Sequence, residues 1–469
     1  MRKDSGAWRL SSGPEMGERV LVVGLGVNNR PLLPFLAEDG AQVVAADRRD
    51  RAALNLEPAL SSAVELITGD GYLERAASLG PYDAVYLTPG MIKRSPIVDR
   101  LAAEGARLTC ETDLFLARCP APVLGITGSA GKTTTTTLVG DILRRDGRRP
   151  VLVGGNIGTS LLPLLPDITT ESWVVMELSS FQLELVERSP HGAALLNIGE
   201  NHLDIHGTMD AYVEAKSRIF RYQGPEDWLV TPWPAPELCD PWLLHHRGRR
   251  LNFSAASPVK RGAYVEDDAF WWQPGGEARR VAGLNVWRLP GRMNVENAAA
   301  ALTIALAAGA SVEAAADALA AFRAVPHRLE LVGEADGVRY VNDSIATAPQ
   351  RTLAALEAVS GPLVMILGGS DKHLEYRELG RRVAERARAA VVVGQVRERI
   401  AEALPPGFPV VRAASFDEAV LAARDLARAG DTVLLSPAAA SYDMFRNFEE
   451  RGERFRSLVR EDILHEHGA

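Results

Sequence analysis

Lys132 and Thr133 follow a glycine turn, an order of residue types suited to holding phosphate. The segment Gly125-Ile-Thr-Gly-Ser-Ala-Gly-Lys-Thr-Thr-Thr-Thr-Thr enters as a short apolar strand, turns through Gly128, Ser129, Ala130 and Gly131, and leaves as a helix. Backbone N–H groups of such a turn, with the positive end of the helix dipole behind them, point at an anion. Lys132 would reach the β- and γ-phosphates, and the Thr133 hydroxyl a Mg²⁺. The longer form of this motif wants a glycine where Ile126 stands, so the match is the short Gly128-x-x-Gly131-Lys132-Thr133. The alternative is an ordinary Gly-rich turn with a solvated lysine.

Two more clusters of polar residues follow apolar strands. Glu177 closes Trp173-Val-Val-Met-Glu177 and precedes Leu-Ser-Ser-Phe-Gln-Leu-Glu184. It reads equally as a Mg²⁺ ligand beside the phosphate loop and as a charge complementing a helix N-terminus. Asn197 to Thr208 gathers His202, Asp204 and His206 in one post-strand loop, ahead of a helix that Thr208 would cap. A lone histidine is more often structural than a ligand; three such residues together favour a site. On the helix beyond, Val213, Ile219 and Phe220 face inward, and Lys216 reads by itself as a solvated lysine.

The elements that position these residues alternate strand and helix over the whole chain. Residues 1–17 are a polar extension. Arg19-Val-Leu-Val-Val-Gly-Leu-Gly, a helix from Leu32 and the strand Gln42–Asp47 form a βαβ unit in a domain over 18–118. Gly24-x-Gly26 and Asp47 are similar to a dinucleotide fingerprint, but Asn29 stands where its third glycine belongs. Glycines serving only a tight turn are an equal reading. A second domain, 119–323, has near-continuous apolar strands, as in a sheet covered on both faces. Its stretch 223–290, rich in tryptophan and proline, is expected to be a small antiparallel insert. A third domain, 324–469, carries strands at Gly337–Asp343, Pro362–Gly369, Ala389–Gly394 and Asp431–Pro437.

Composition narrows the function classes. The 469 residues carry a net charge of −8 and no long basic run, which argues against nucleic acid or an acidic membrane surface as partner. Cys110, Cys119 and Cys239 lack metal-ligand spacing and are too few for a disulfide framework, fitting a reducing cytoplasm. The start has no apolar core of signal-peptide length. Polar residues interrupt the Ala-rich run Ala298–Phe322, which reads as a buried helix pair and not a membrane span.

Taken in order, these motifs resemble those of the Mur ligases, the ATP-dependent amide-forming enzymes of peptidoglycan precursor synthesis. The likeness runs from about residue 18 to residue 460. It covers Thr127–Thr135, Glu177-Leu-Ser-Ser-Phe-Gln-Leu, Asn197–His206, Ala211–Phe220, Gly291–Asn297, Pro326-His-Arg328, Asn342-Asp-Ser344 and Leu435–Ser441. It implies an α/β fold of three doubly wound domains: a Rossmann-like first domain, a P-loop ATPase-like centre and a Rossmann-like third. It implies that the phosphate loop from Thr127 through Gly128, Ser129, Ala130, Gly131, Lys132 and Thr133 to Thr134 binds ATP, with Asn294, Asn297, His327, Arg328 and Asp343. Lys132, Glu177, His202 and Lys216 are the implied catalytic residues. Thr133, Glu177, His202 and a carbamylated Lys216 would hold two Mg²⁺. Asp47, Thr88, Gly90, Asn156 and His202 match the UDP-substrate side, and Thr347, Lys372, Ser441 and Phe448 the amino-acid site.

The motif at Glu177 is similar to that of the branch adding glutamate to UDP-N-acetylmuramoyl-L-alanine, which implies glutamate as the amino acid, with D-glutamate the common hand and L-glutamate the alternative. A cytoplasmic monomer acting on small molecules is expected. The chain departs from the family at Ile345, where Lys is common, at Gly199, where Thr is, and at Asn201, where Asp is. A folylpolyglutamate synthase-type ligase, a non-catalytic nucleotide-binding module and a dinucleotide-dependent dehydrogenase are the rival readings.

Overall fold

The computed structural model describes the chain except for residues 1–16, 27–28, 55, 58–59, 61–62, 90–94, 157–159, 200–205, 290, 324–325, 360, 372–373 and 465–469. Gly90, Asn201, His202, Asp204 and Lys372 therefore lie outside the described residues. The chain divides into two compact units, Met1–Phe322 and Arg323–Ala469.

The first unit holds two sheets. One is built from β1 (Arg19–Val23), β2 (Gln42–Asp47), β3 (Glu65–Thr68), β4 (Ala84–Leu87) and β5 (Arg107–Thr109), in the order β3-β2-β1-β4-β5, all parallel. Side chains alternate across a strand. Val20 and Val22 accordingly join the core on one face, and Leu21 and Val23 that on the other.

The central sheet has nine strands: β6 (Val123–Thr127), β7 (Val151–Gly155), β8 (Trp173–Glu177), β9 (Gly192–Leu195), β10 (Trp228–Pro232), β11 (Arg249–Ser254), β12 (Gly262–Glu266), β13 (Ala269–Gln273) and β14 (Arg279–Gly283). Their order is β14-β13-β12-β11-β10-β9-β6-β8-β7. Within the stretch 223–290, only β12, β13 and β14 pair antiparallel. β10 and β11 run parallel to β9 and prolong the central sheet. The physical reason is connection length: residues 233–248 carry the short helix Asp240–Leu243 and are long enough for a crossover.

The chain leaves β6 for β7 on one side and leaves its neighbour β9 for β10 on the other. In open α/β sheets that is where the crevice for a ligand forms. Four helices matter below: α1 (Lys132–Asp146), α2 (Met209–Arg221), α3 (Arg292–Ala307) and α4 (Phe448–Leu458). The Ala-rich run forms α3 and the helix Val312–Ala321. Ala298–Ala301 are fully buried, and their small side chains let α3 lie against α1. Among the described residues no helix is long and apolar enough to cross a membrane.

The second unit has one sheet, β15 (Glu330–Ala335), β16 (Val338–Asn342), β17 (Leu363–Gly368), β18 (Ala387–Val393), β19 (Val410–Arg412) and β20 (Thr432–Leu435), in the order β15-β16-β20-β17-β18-β19. Only β15 is antiparallel, joined to β16 through Asp336-Gly337, both at positive φ (52° and 73°). An Asp-Gly pair with two left-handed residues matches the twist of a two-residue hairpin.

Candidate active site

The phosphate-loop sequence leaves β6 at Thr127 and enters α1 at Lys132. Gly131 has φ 81°, and a Cβ on it would stand 2.0 Å from Asn297 Oδ1. A side chain there would sit on a left-handed backbone and force the Asn297 amide aside. Asn297 comes from the first turns of α3, with its Nδ2 3.4 Å from Asn294 Oδ1. From the other side, Asn197 grips the loop: its Oδ1 accepts from Ala130 N (2.8 Å) and its Nδ2 donates to Ala130 O (3.0 Å). Ser129 Oγ donates to Gly199 O, accepts from Gly199 N and lies 2.9 Å from the Tyr212 hydroxyl. Among the described residues, nothing comes within 4 Å of a Cβ placed on Gly199.

Glu177 ends β8, next to β6, and is buried. Its Oε2 accepts from Thr133 Oγ1 and its Oε1 from Asn156 Nδ2, each at 2.7 Å. The helix Ser180–Leu183 is capped by Ser179 with Gln182, so Glu177 is not its cap. Gly155 (φ 94°) lets β7 pass within contact of β8: a Cβ there would stand 2.4 Å from Glu177 O. Asn156 N donates to that same carbonyl.

Lys132 Nζ donates to the carbonyls of Gly128 (2.9 Å) and Ser129 (3.4 Å). Lys216 overturns its reading as a solvated helix lysine: it is 2% exposed. Its position, three residues after Val213 and three before Ile219, puts it on the inward stripe of α2, a signal present in the spacing. Nζ donates to Gly128 O (3.0 Å) and Thr127 Oγ1 (3.3 Å) and lies 4.8 Å above the Tyr212 ring. Burial, and then the neighbouring Lys132 charge, drive its pKa well below the ordinary lysine value, with Glu177 opposing. Burial of this kind favours the neutral amine over the ammonium. His206 is structural: buried, stacked on Phe181 at 5.2 Å, and bonded through Nε2 to Ser180 Oγ at 3.0 Å.

At the first sheet, Asp47 Oδ2 accepts from Leu25 N at 2.6 Å, and both carboxylate oxygens accept from Arg49. Burial raises the Asp47 pKa, but these hydrogen bonds outweigh it and hold the carboxyl below the usual range. Thr88 Oγ1 bonds the carbonyls of Val23 and Gly24. Asn29, fully buried, donates to Val23 O and Thr88 Oγ1. It occupies the third-glycine position of the fingerprint as a brace between the ends of β1 and β4, a role the sequence reading missed.

In the second unit, Asp343 follows β16 and accepts from Leu329 N (3.2 Å) and Ser436 Oγ (2.8 Å). Burial pushes its carboxyl up to about 7, against the pull of Ser436 and Arg328. His327 (φ 63°) is buried against Gly452 and the Phe448 ring, with its Nδ1 3.0 Å from Asn342 Nδ2. Ile345 N donates to His327 O, and Thr347 N to Ile345 O. Buried Ser441 accepts at its carbonyl from Met444 N and Phe445 N. Among the described residues no three His, Cys, Asp or Glu side chains gather as a metal site. Thr133 and Glu177 offer oxygens, the donor type a hard cation takes alongside phosphates and water.

Two family models match the chain: the Mur ligase middle domain over residues 126–305, and the Mur ligase glutamate ligase domain over 327–439. The chain is 45% identical to the UDP-N-acetylmuramoylalanine–D-glutamate ligase of Symbiobacterium thermophilum, covering 96% of this chain and 99% of that one. It is 39% identical to the enzyme of the same name from Clostridium novyi, covering 94% and 96%. Two solved structures share the fold. The UDP-N-acetylmuramate-alanine ligase of Thermotoga maritima has a TM-score of 0.52 at 17% identity, over 95% of this chain and 100% of that chain. The MurF ligase of the same organism, in complex with ADP, has 0.51 at 20%, over 96% of each. Fold and matches together define an ATP-dependent, amide-forming ligase. The chain belongs to the Mur ligase family.

Proposed function

We propose that this ligase joins D-glutamate to UDP-N-acetylmuramoyl-L-alanine in the cytoplasm and that it acts as a monomer. The observation that carries this reading is 45% identity along nearly the whole of both chains to a ligase of that name. The substrate carboxylate attacks the γ-phosphorus of ATP and ADP leaves. The amine of glutamate then attacks the acyl phosphate, and phosphate leaves as the amide forms. Such a transfer needs positioning and charge neutralisation more than covalent help.

We assign residues 18–118 to the UDP-substrate, 119–323 to ATP and 324–469 to the amino acid. Lys132 and the loop N–H groups from Thr127 to Thr134 hold the phosphates, and the Gly131–Asn297 contact supports a shared nucleotide site with Asn294. Asp47, Thr88 and Asn156 face the UDP-substrate; His327, Arg328 and Asp343 serve the nucleotide; Thr347, Ser441 and Phe448 hold the amino acid. Two Mg²⁺, when bound, neutralise charge on the transferring phosphoryl. Thr133, Glu177, Lys216 as its carbamate and His202, which lies outside the described residues, would hold them. The depressed pKa of Lys216 supports that role, since only a neutral amine attacks CO₂.

Phosphate release with UDP-N-acetylmuramoyl-L-alanine and ATP, using D-glutamate, L-glutamate or a folate acceptor, tests the proposal. Turnover with D-glutamate is expected. Turnover with L-glutamate alone would overturn the stereochemistry, and turnover with the folate acceptor alone the substrate class.

A further inference from the structure

Arg451, on α4, is the bulkiest fully buried side chain among the described residues, at 1% exposure. A buried guanidinium normally sits against a carboxylate. Here the bonds run to neutral oxygens. Nε donates to Ser344 Oγ (3.0 Å) and Nη2 to Ser344 O (2.9 Å). Nη1 donates to Ala439 O (3.1 Å) and, at 3.4 Å, to Gly368 O. Burial pushes its pKa down to about 10, against the pull of the Asp443 carboxylate, so the charge survives at neutral pH.

Those oxygens belong to the loops after β16 and β20 and to the last residue of β17, three adjacent strands at one end of the sheet. The fit leaves no slack: a Cβ on Gly369 would stand 2.0 Å from Ala440 O and 3.2 Å from Arg451 Nη1. Ser344 Oγ passes the linkage on, donating to Phe448 O at 2.8 Å. Thr347, Ser441 and Phe448 lie on the segments that this fork joins.

We propose that Arg451 is the positioning residue of the amino-acid pocket, fixing the loops after β16, β17 and β20 at one spacing. This rests on the assignment of Thr347, Ser441 and Phe448 to that amino acid. A planar fork with five donors can bridge three strands; an ammonium, a point charge on a flexible stem, cannot.

The test compares two nucleophiles on the full-length enzyme. Hydroxylamine attacks the acyl phosphate at its carbonyl carbon, displaces phosphate and gives a hydroxamate without using the amino-acid pocket. In Arg451→Lys, the KM for glutamate should rise about ten- to a hundredfold, as misplacement of about 1 Å does. Hydroxamate formation from ATP and UDP-N-acetylmuramoyl-L-alanine should stay within about twofold. Ser344→Ala, which removes only the relay to Phe448, should raise the glutamate KM about threefold and add little in the double variant, because the two residues share one network. A merely structural arginine would lower both reactions together and leave the glutamate KM unchanged, and that result would overturn the proposal. Should Arg451→Lys fail to fold, an unchanged glutamate KM in Ser344→Ala overturns it alone. Absence of hydroxamate from the wild type would overturn the acyl-phosphate reading and this proposal with it.

Discussion

Lys132 and Lys216 donate to one and the same oxygen, the Gly128 carbonyl, at 2.9 and 3.0 Å. Two ammonium groups on one acceptor repel, and the buried one yields: the pKa of Lys216 falls by burial first and by the charge of Lys132 second. The pair thus divides its labour. Lys132 stands part-buried at the loop, while burial tilts Lys216 toward the neutral amine.

Lys132→Ala is expected to abolish ligation and leave the fold intact. Removing a charge that stabilises a transferring phosphoryl costs on the order of a hundredfold or more. Initial rates together with a thermal melt check this, and a rate within tenfold of wild type would refute it.

Lys216→Ala should be nearly inactive and partly rescued by formate or acetate, which restore an anionic oxygen at the vacated position. Stripping bicarbonate from wild-type enzyme should slow it, and adding bicarbonate back should restore it. If neither treatment changes the rate, Lys216 is a packing residue.

Gly131→Ala should lose on the order of a hundredfold in activity. A methyl there meets Asn297 Oδ1 at 2.0 Å and sits on a left-handed backbone, which costs an L-residue about 1–2 kcal/mol. ATP titration of the variant decides the point; an unaltered KM for ATP alongside full turnover would show that the loop tolerates a side chain.

Asp343 gives a pH signature. Its folded pKa, about 7, lies above the ordinary 3.8. Between those values the folded state holds more protons than the unfolded one, so stability falls as pH rises through that window. Asp343→Asn removes this dependence. The melting temperature of the variant minus that of wild type should therefore become more positive from pH 5 to pH 8, and a flat difference would contradict the raised pKa.

Strands buried on both faces were plain in the sequence, because Val20–Val23, Trp173–Glu177 and Leu363–Gly368 are continuous apolar runs. Three of the edge strands, β3, β5 and β19, were not. In β3, Glu-Leu-Ile-Thr is half-exposed, and β5 and β19 have three residues each, too short for a pattern. The hairpin β15–β16 did leave a signal, Asp336-Gly337, that the reading passed over. At the site, Gly131, Lys132 and Thr133 were legible because a turn motif is local. Asn197, Asn29 and Arg451 act across 67, 59 and 107 residues of chain. Nothing adjacent in the sequence marks a residue whose partners are that distant.

The latch at Asp47 carries a consequence for how this scaffold could be repurposed. A dinucleotide would need that carboxylate for its ribose hydroxyls. Here the carboxylate is already committed to Leu25 N and Arg49, while Asn29 locks the neighbouring turn to Thr88. Freeing one latch leaves the other shut. Redox chemistry on the first sheet would meet both contacts, at Arg49 and at Asn29.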